Sequence, residues 1–159
     1  MERKEVKTIL MYYSEIPGMA KLLKHEKYEL ELEYSSIQGI SSDGSQHGNV
    51  PGAPTEQIAI RMIDNGISDR LKEITVQLQV LDRDAALIRG CVDGMNSKYK
   101  RVLLLRSVNG YSWGRIYAQT GIPESTARDW HNKAEERLGK ELEYVPMVDE
   151  LYYRASRAR

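Results

Sequence analysis

The sequence has little cysteine, no phenylalanine and no net charge: one cysteine, Cys91, stands among its 159 residues, and 23 basic side chains balance 23 acidic ones. A single cysteine can form neither an intramolecular disulfide nor a multi-cysteine metal site, so we expect a reducing cytoplasm as the setting. No apolar run approaches the roughly 18 residues that cross a bilayer. The N-terminal residues lack an apolar stretch with a small-residue cleavage site, so secretion is not expected.

The zero net charge conceals an uneven distribution. Between Asn96 and Arg137 eight Lys and Arg face four Asp and Glu, which leaves +4 in this block and −4 in the rest of the chain. Because each neutralised phosphate releases condensed counterions, local positive potential favours nucleic-acid binding. A basic solvated face is the other interpretation of the same block.

Apolar periodicity predicts an all-α protein. We expect helices over about residues 6–37 and 55–92, with Thr55 as an N-cap and a Gly-rich loop over 39–54 between them. Neither a GxxxxGK[ST] nor a GxGxxG pattern occurs in the loop, which argues against a nucleotide site. Pro17-Gly18 indicates a helix start or a kink, and Asn65-Gly66 can break or bend the second helix.

The second helix carries an apolar repeat that we call the heptad seam. It comprises Ile67, Leu71, Ile74, Leu78, Leu81, Ala85, Ile88, Val92 and Met95. Such a seam must be covered, either by the first helix in an antiparallel hairpin or by the same helix of another subunit, which would make a homodimer through residues 67–95.

The region after the seam contains the signals of three short helices. Asn109-Gly110 predicts the end of the first, Ser112 is an N-cap for the second, and Gly121 ends the second after barely three turns. Pro123 suits the first turn of the third helix. A short helix, a tight glycine turn and a following helix are typical of a helix-turn-helix.

The third helix has two different faces. Its apolar side, formed by Ala127, Trp130, His131, Ala134 and Leu138, is suited to packing on the first two helices. We expect Trp113 and Trp130 to be core anchors, His131 a partly buried packing residue, and Cys91, before these helices, a small buried hydrophobe. The other side of the third helix is polar and is expected to enter the DNA major groove and read base edges. Ser112, Arg115 and Lys133 are better placed for phosphate. The predicted DNA-binding residues are Ser112, Arg115, Pro123, Glu124, Ser125, Thr126, Arg128, Asp129, Asn132 and Lys133.

This stretch resembles a known family. Leu105-Arg106, the pattern Gly-x-Ser-x-x-x-Ile over 110–116, Gly-Ile-Pro-Glu-Ser-Thr over 121–126, and the later Ala134 and Leu138 resemble region four of bacterial sigma factors. Residues 125–130, together with the helical N-terminal half, resemble more closely the RinA/ArpU-like regulators of phage late genes. The resemblance implies a sigma-region-four-like helix-turn-helix that activates transcription from double-stranded DNA together with host RNA polymerase, in the nucleoid of a bacterial cell.

The sequence therefore predicts a helical N-terminal region over 1–94, a DNA-binding domain over 95–140 and a C-terminal tail over 141–159. We expect a transcriptional regulator with no cofactor, metal or membrane partner. A phage terminase small subunit and a helical protein-interaction module are the alternatives. An enzyme is not expected, because no nucleophile with a base, metal cluster or phosphate loop is evident.

Overall fold

The structure is a computed structural model that describes the backbone of residues 1–42 and 54–158 and the side chains of residues 1–39 and 57–158. Its helices are α1 (Arg3–Ser42), α2 (Pro54–Asp93), α3 (Ser97–Leu103), α4 (Trp113–Thr120), α5 (Glu124–Glu143) and α6 (Val148–Arg157), and one π-helical turn (Leu104–Val108) continues α3. The described residues contain no strand, so the all-α fold class is confirmed.

Both long helices extend slightly beyond their predicted ends. Helix α1 continues to Ser42, so residues 39–42 are helical rather than loop, while residues 43–53 of the predicted loop lie outside the described part of the chain. Helix α2 begins at Pro54, which places Thr55 inside the first turn instead of at the N-cap. A proline fits there because the first turn leaves its N–H groups without intrahelical partners.

The two predicted interruptions do not end either helix. Pro17 lies inside α1, which begins at Arg3, and α2 continues without a break through Asn65-Gly66. A proline inside a helix removes one backbone hydrogen bond, and the surrounding helix persists where tertiary packing compensates for that loss.

The chain forms two compact units whose bounds differ from the predicted boundary at residue 94. Unit 1 comprises Met1–Pro17 and Leu81–Arg159, and unit 2 comprises Gly18–Val80. The beginning of α1, the end of α2, the predicted helix-turn-helix and the C-terminal tail thus share unit 1.

A close helix approach and a buried ion pair organise unit 1. A Cβ added at Gly139 of α5 would lie 3.1 Å from Val6 Cγ2 and 3.3 Å from the Met1 carbonyl oxygen, so the glycine allows the start of α1 to approach α5 closely. In α2, the carboxylate of Asp84 is fully buried and accepts hydrogen bonds from Arg154 of α6 and from Tyr12 of α1. The C-terminal tail therefore belongs to the core of unit 1.

Unit 2 consists of the remaining lengths of α1 and α2. Among its described side chains only Ile67 and Ile74 are buried, and Leu71 and Leu78 of the heptad seam are half-buried. Across the two helices, Arg70 donates hydrogen bonds of 2.7 and 3.0 Å to the two carboxylate oxygens of Glu26. The Arg70 guanidinium holds the pKa of the Glu26 carboxyl below its usual range. Ile67 and Ile74 of the heptad seam are therefore covered within a single chain.

Candidate nucleic-acid interface

Local capping interactions set the start of α3 and both ends of α4. The Asn96 side chain accepts a hydrogen bond from the Lys98 N–H at the start of α3, and the Ser112 hydroxyl accepts one of 3.2 Å from the Arg115 N–H at the start of α4. Gly121 ends α4 with a φ of 71°, a left-handed conformation that glycine adopts without steric cost. The predicted Ser112 and Gly121 caps are confirmed.

The end of the first short helix differs in detail from a simple α-helix terminus. The backbone widens into a π-helical turn, and Gly110 follows it with a φ of 69°. The Tyr111 N–H then donates a 2.9 Å hydrogen bond to the Leu105 carbonyl, which closes the turn. The predicted helix end at Asn109-Gly110 is confirmed, and the π turn before it is a feature that the sequence pattern does not predict.

The three helices enclose a small apolar core. Val102, Leu105, Ile116 and Ala127 form its buried centre, and Tyr111, Trp113, Ile122 and Trp130 pack around it. Further along the same side of α5, His131, Ala134 and Leu138 are also buried. The predicted inward face of α5 is confirmed, and both tryptophans contact the core as expected.

The outward face of α5 is open to solvent. Of the ten predicted DNA-binding residues, nine are exposed and Thr126 is half-buried. Pro123 precedes the first turn of α5 and occupies the N-cap position, which is one residue earlier than predicted. The exposed side chains lie on α4, on the turn and on the N-terminal half of α5, within unit 1.

Two ion pairs lie along this outward face. Arg128 donates hydrogen bonds of 2.9 and 2.6 Å to Glu124 Oε1, and Lys133 donates one of 2.8 Å to Asp129 Oδ2. Each pair joins residues four positions apart on one helix, where such exposed pairs contribute only about 0.5 kcal/mol. The face is therefore neutral in the free protein, and each pair can be exchanged at small cost for contacts with another molecule.

Asn132 makes a contact that the sequence did not indicate. Its side-chain oxygen accepts a hydrogen bond from the guanidinium of Arg3, whose Nε also donates to Glu135 Oε2 at 2.5 Å. Arg3 and Asn132 are 129 positions apart, so no local pattern could have predicted their pairing. Asn132 is exposed, and one end of its amide is held by α1.

Four exposed cations in and around the three helices lack a carboxylate partner within 4 Å among the residues that the structure describes: Lys98, Arg101, Arg115 and Arg137. Arg106, which is half-buried, also lacks one and donates to the Tyr111 carbonyl. Of the four exposed cations, only Arg115 is among the predicted DNA-binding residues. The other three belong to the basic block between Asn96 and Arg137. Unpaired exposed cations are the side chains best suited to phosphate, because binding does not first break an ion pair.

Aromatic rings hold several of these cations in place. Lys98 Nζ lies 5.0 Å from the Tyr99 ring centre and 5.3 Å from that of Trp130, while the Arg137 guanidinium lies 5.4 Å from the Tyr99 ring. The Arg115 guanidinium lies 3.7 Å from the ring of Tyr111. Cation–π contacts of this kind order a side chain without neutralising its charge.

His131 is a buried packing residue, as predicted. Its ring meets that of Trp113 edge to face at 5.6 Å, and its Nε2 is hydrogen-bonded to the Ser107 hydroxyl at 2.8 Å. Burial lowers the pKa of His131, and the buried carboxylate of Glu135 opposes that shift only in part. His131 is therefore neutral at pH 7 and joins the π turn to α5 through a neutral hydrogen bond.

The described residues contain no group of three or more His, Cys, Asp or Glu side chains that could hold a metal ion. Cys91 is half-buried, and burial raises the pKa of its thiol, which disfavours the reactive thiolate. Among the described residues, no helix is both long and apolar enough to cross a bilayer.

Comparisons with known proteins give no family assignment. The chain matches no protein-family model, no curated protein and no solved structure.

Proposed function

We propose that the protein is a sequence-specific double-stranded DNA-binding regulator of transcription, and that it activates phage or prophage late genes together with host RNA polymerase. The resemblance of residues 105–138 to sigma region four and to the RinA/ArpU-like regulators supports the second part of this proposal. The geometry of α4 and α5 supports the first part.

One observation carries the proposal: α5 has a buried inner face and a solvent-exposed outer face at the position that a recognition helix requires. Ala127 and Ala134 are fully buried against the small core, while Ser125, Arg128 and Asp129 on the opposite side are exposed. In a helix-turn-helix, the N-terminal part of the second helix enters the major groove. Among the described residues of unit 1, this part of α5 is contacted from outside the helix by Arg3, which donates to Asn132, and by Trp113, whose ring centre lies 5.1 Å from the Arg128 guanidinium.

The outward side chains suit base reading. An arginine can donate two hydrogen bonds to guanine O6 and N7, and Asp or Glu can accept one from the cytosine amino group. Arg128 forms its ion pair with Glu124 on the same exposed helix surface, so its guanidinium can turn toward a base when DNA approaches. Glu124 is released by the same movement.

The unpaired cations suit the phosphate backbone. Lys98 and Arg101 on α3, Arg115 on α4 and Arg137 on α5 supply positive charge on the helices of the same small domain that carries the neutral reading face. Phosphate contacts fix orientation and contribute most of the affinity, whereas base contacts select the sequence. Phosphate contacts from these cations together with base contacts from α5 predict tight but salt-dependent binding with a sequence preference.

Selection from a random duplex pool tests DNA recognition. The full chain should enrich one sequence motif, and its affinity for that motif should fall steeply as salt rises from about 50 to 200 mM. Absence of enrichment together with salt-independent affinity would refute the proposal and favour a protein-interaction module.

Transcription in vitro tests the second part of the proposal. A template that carries the selected motif upstream of a promoter should give more transcript with bacterial RNA polymerase when the chain is added. A template with the motif scrambled is the matched control. Equal transcript from both templates would leave a DNA-binding protein without the proposed activator role.

A further inference from the structure

A chain of hydrogen bonds leads from the core of unit 1 to the exposed side of α5. The carboxylate of Glu135 is 1% exposed, and its Oε2 accepts a 2.5 Å hydrogen bond from Nε of Arg3 at the start of α1. A second nitrogen of the same guanidinium, Nη2, donates to Asn132 Oδ1 on the surface of α5. A buried carboxylate thus holds the guanidinium, and the guanidinium holds an exposed amide.

The contact with Arg3 fixes the orientation of the Asn132 amide. A guanidinium carries only N–H donors, so it can bind the amide oxygen but not the amide nitrogen. The Nδ2 hydrogens of Asn132 have no acceptor among the residues that the structure describes. The oxygen has two lone pairs, so Oδ1 can accept a second hydrogen bond while Arg3 remains bound. Asn132 can therefore offer a donor and an acceptor to the same partner.

In the DNA major groove this combination matches adenine. The amide nitrogen of an asparagine donates to adenine N7 while the amide oxygen accepts from the N6 amino group. Asn132 shares its side of α5 with Ser125, Arg128 and Asp129: at 3.6 residues per turn the four fall within about 100° of the helix circumference, and all four are exposed. Asn132 therefore belongs to the surface that is expected to read bases.

Asn132 differs from its neighbours on this surface in the way it is held. Arg128 and Asp129 form ion pairs within α5 itself, whereas Asn132 is held from α1. A side chain that a second element already orients loses less conformational entropy when it binds. The contact with Arg3 therefore prepares Asn132 for one binding geometry.

We infer that Arg3 is a positioning residue for base reading: anchored by Glu135, it orients the Asn132 amide to bind the N7 and N6 edge of one adenine. The inference rests on the proposed function, because it requires α5 to enter the major groove. It assigns Arg3 no DNA contact of its own. A phosphate contact from Arg3, or an ion pair that only docks α1 on α5, would act on all DNA sequences alike.

Selection from a random duplex pool first locates the base pair that Asn132 reads. The wild-type chain should prefer adenine at one base pair of its motif by at least about fivefold. Asn132→Ala should lose that preference and keep the preferences at the other base pairs.

Removal of the Arg3–Glu135 pair then tests the positioning. Arg3→Met/Glu135→Met replaces both partners by apolar side chains, so no buried carboxylate is left unpaired and the fold is expected to persist. The variant should lose the same adenine preference to within about twofold of Asn132→Ala, and adding Asn132→Ala to it should change the preference no further. Arg3→Lys keeps a charge beside Glu135 but lacks the planar fork that binds two partners at once, so it should also lower the preference.

Arg70→Met/Glu26→Met is the matched control. It removes an Arg–Glu pair between α1 and α2 in unit 2 and should select the same motif as the wild type. Circular dichroism confirms that every variant keeps its helix content.

The outcomes separate the role of Arg3 from DNA recognition itself. No enriched motif with the wild-type chain would refute DNA recognition. A wild-type motif in which no base pair depends on Asn132, or in which that base is not adenine, would overturn the inference and leave DNA recognition intact. An adenine preference that survives both in Arg3→Met/Glu135→Met and in Arg3→Lys would overturn it as well, and a loss of affinity for every duplex would then show a phosphate or docking role for Arg3.

Discussion

Arg154 of α6 donates hydrogen bonds of 2.7 and 2.8 Å to the two carboxylate oxygens of Asp84 in α2. The Asp84 side chain is 0% exposed and also accepts a 2.9 Å hydrogen bond from the Tyr12 hydroxyl. Burial and the hydrogen bond to Asp84 raise the pKa of Tyr12, so its phenol remains protonated and donates. The C-terminal helix is thereby tied to both long helices.

Removal of the guanidinium should therefore destabilise unit 1. Arg154→Met removes both hydrogen bonds of the guanidinium to the buried carboxylate and leaves only the exposed Arg83, 3.9 Å away, as counter-charge, and we expect it to lower the free energy of unfolding by about 3 kcal/mol. Arg157→Met, which removes an exposed arginine from the same helix, should cost less than about 0.5 kcal/mol. Urea unfolding measures both, and equal losses would show that the Asp84 pair does not stabilise the fold.

Local signals explain why so much of the helix-turn-helix region was predictable. The Asn109-Gly110 stop, the Ser112 cap and the left-handed Gly121 depend on residues within a few positions of each other. The pairs that define unit 1 are far apart in sequence: Asp84 with Arg154 by 70 positions, and Arg3 with Glu135 by 132. An isolated charge on an amphipathic helix carries no sign of which distant partner it will meet.

The same limit applies to the candidate site. The sequence predicted which side chains of α5 are exposed, because inward and outward positions alternate with the helical period. It could not show that α1 reaches Asn132, nor which cations of the basic block would be left without a carboxylate. Those outcomes depend on tertiary packing.

Two glycine substitutions should have opposite effects on stability. Gly121 has a φ of 71°, so Gly121→Ala forces an alanine into the left-handed region and should destabilise the protein by about 1 kcal/mol. Gly114 lies inside α4 with nothing within 4 Å of an added Cβ, so Gly114→Ala should stabilise it by up to about 1 kcal/mol. Thermal unfolding of the two variants compares them directly, and shifts of the same sign would contradict the described turn.

Burial of neutral His131 should make stability depend on pH. Because folding lowers the pKa of His131 from its usual 6.5, the unfolded chain binds a proton more readily than the folded one. The free energy of unfolding should therefore fall as pH decreases below about 6.5 and continue to fall until the pKa of the folded state is reached. Urea unfolding between pH 5 and 7.5 should show this slope in the wild type and a smaller one in His131→Gln. An NMR titration in which the His131 ring has a pKa above 6.5 would refute the prediction.

Arg128 should determine sequence preference. Arg128→Ala is expected to weaken binding to the selected motif by about 1–3 kcal/mol and to relax the preference at one base pair. Binding to random duplex should change little, because the lost contact is to a base edge. In the free protein the guanidinium lies 5.1 Å from the Trp113 ring centre. Arg128→Lys keeps the positive charge but loses the planar guanidinium that donates two hydrogen bonds to guanine, so it tests whether charge alone is sufficient. Equal losses on selected and random duplex would exclude a base-reading role.

Arg115 should contribute affinity without sequence preference. It is exposed at the start of α4, and its guanidinium is ordered over Tyr111 at 3.7 Å without a carboxylate partner in the described residues. Arg115→Ala should weaken binding to selected and random duplex alike and reduce the slope of log affinity against log salt by about 1, which corresponds to one phosphate contact. Lys72→Ala, which removes one exposed cation from unit 2, should leave both the affinity and the slope unchanged. A loss confined to the selected motif would place Arg115 at a base instead of the backbone, and an unchanged slope would remove α4 from the interface.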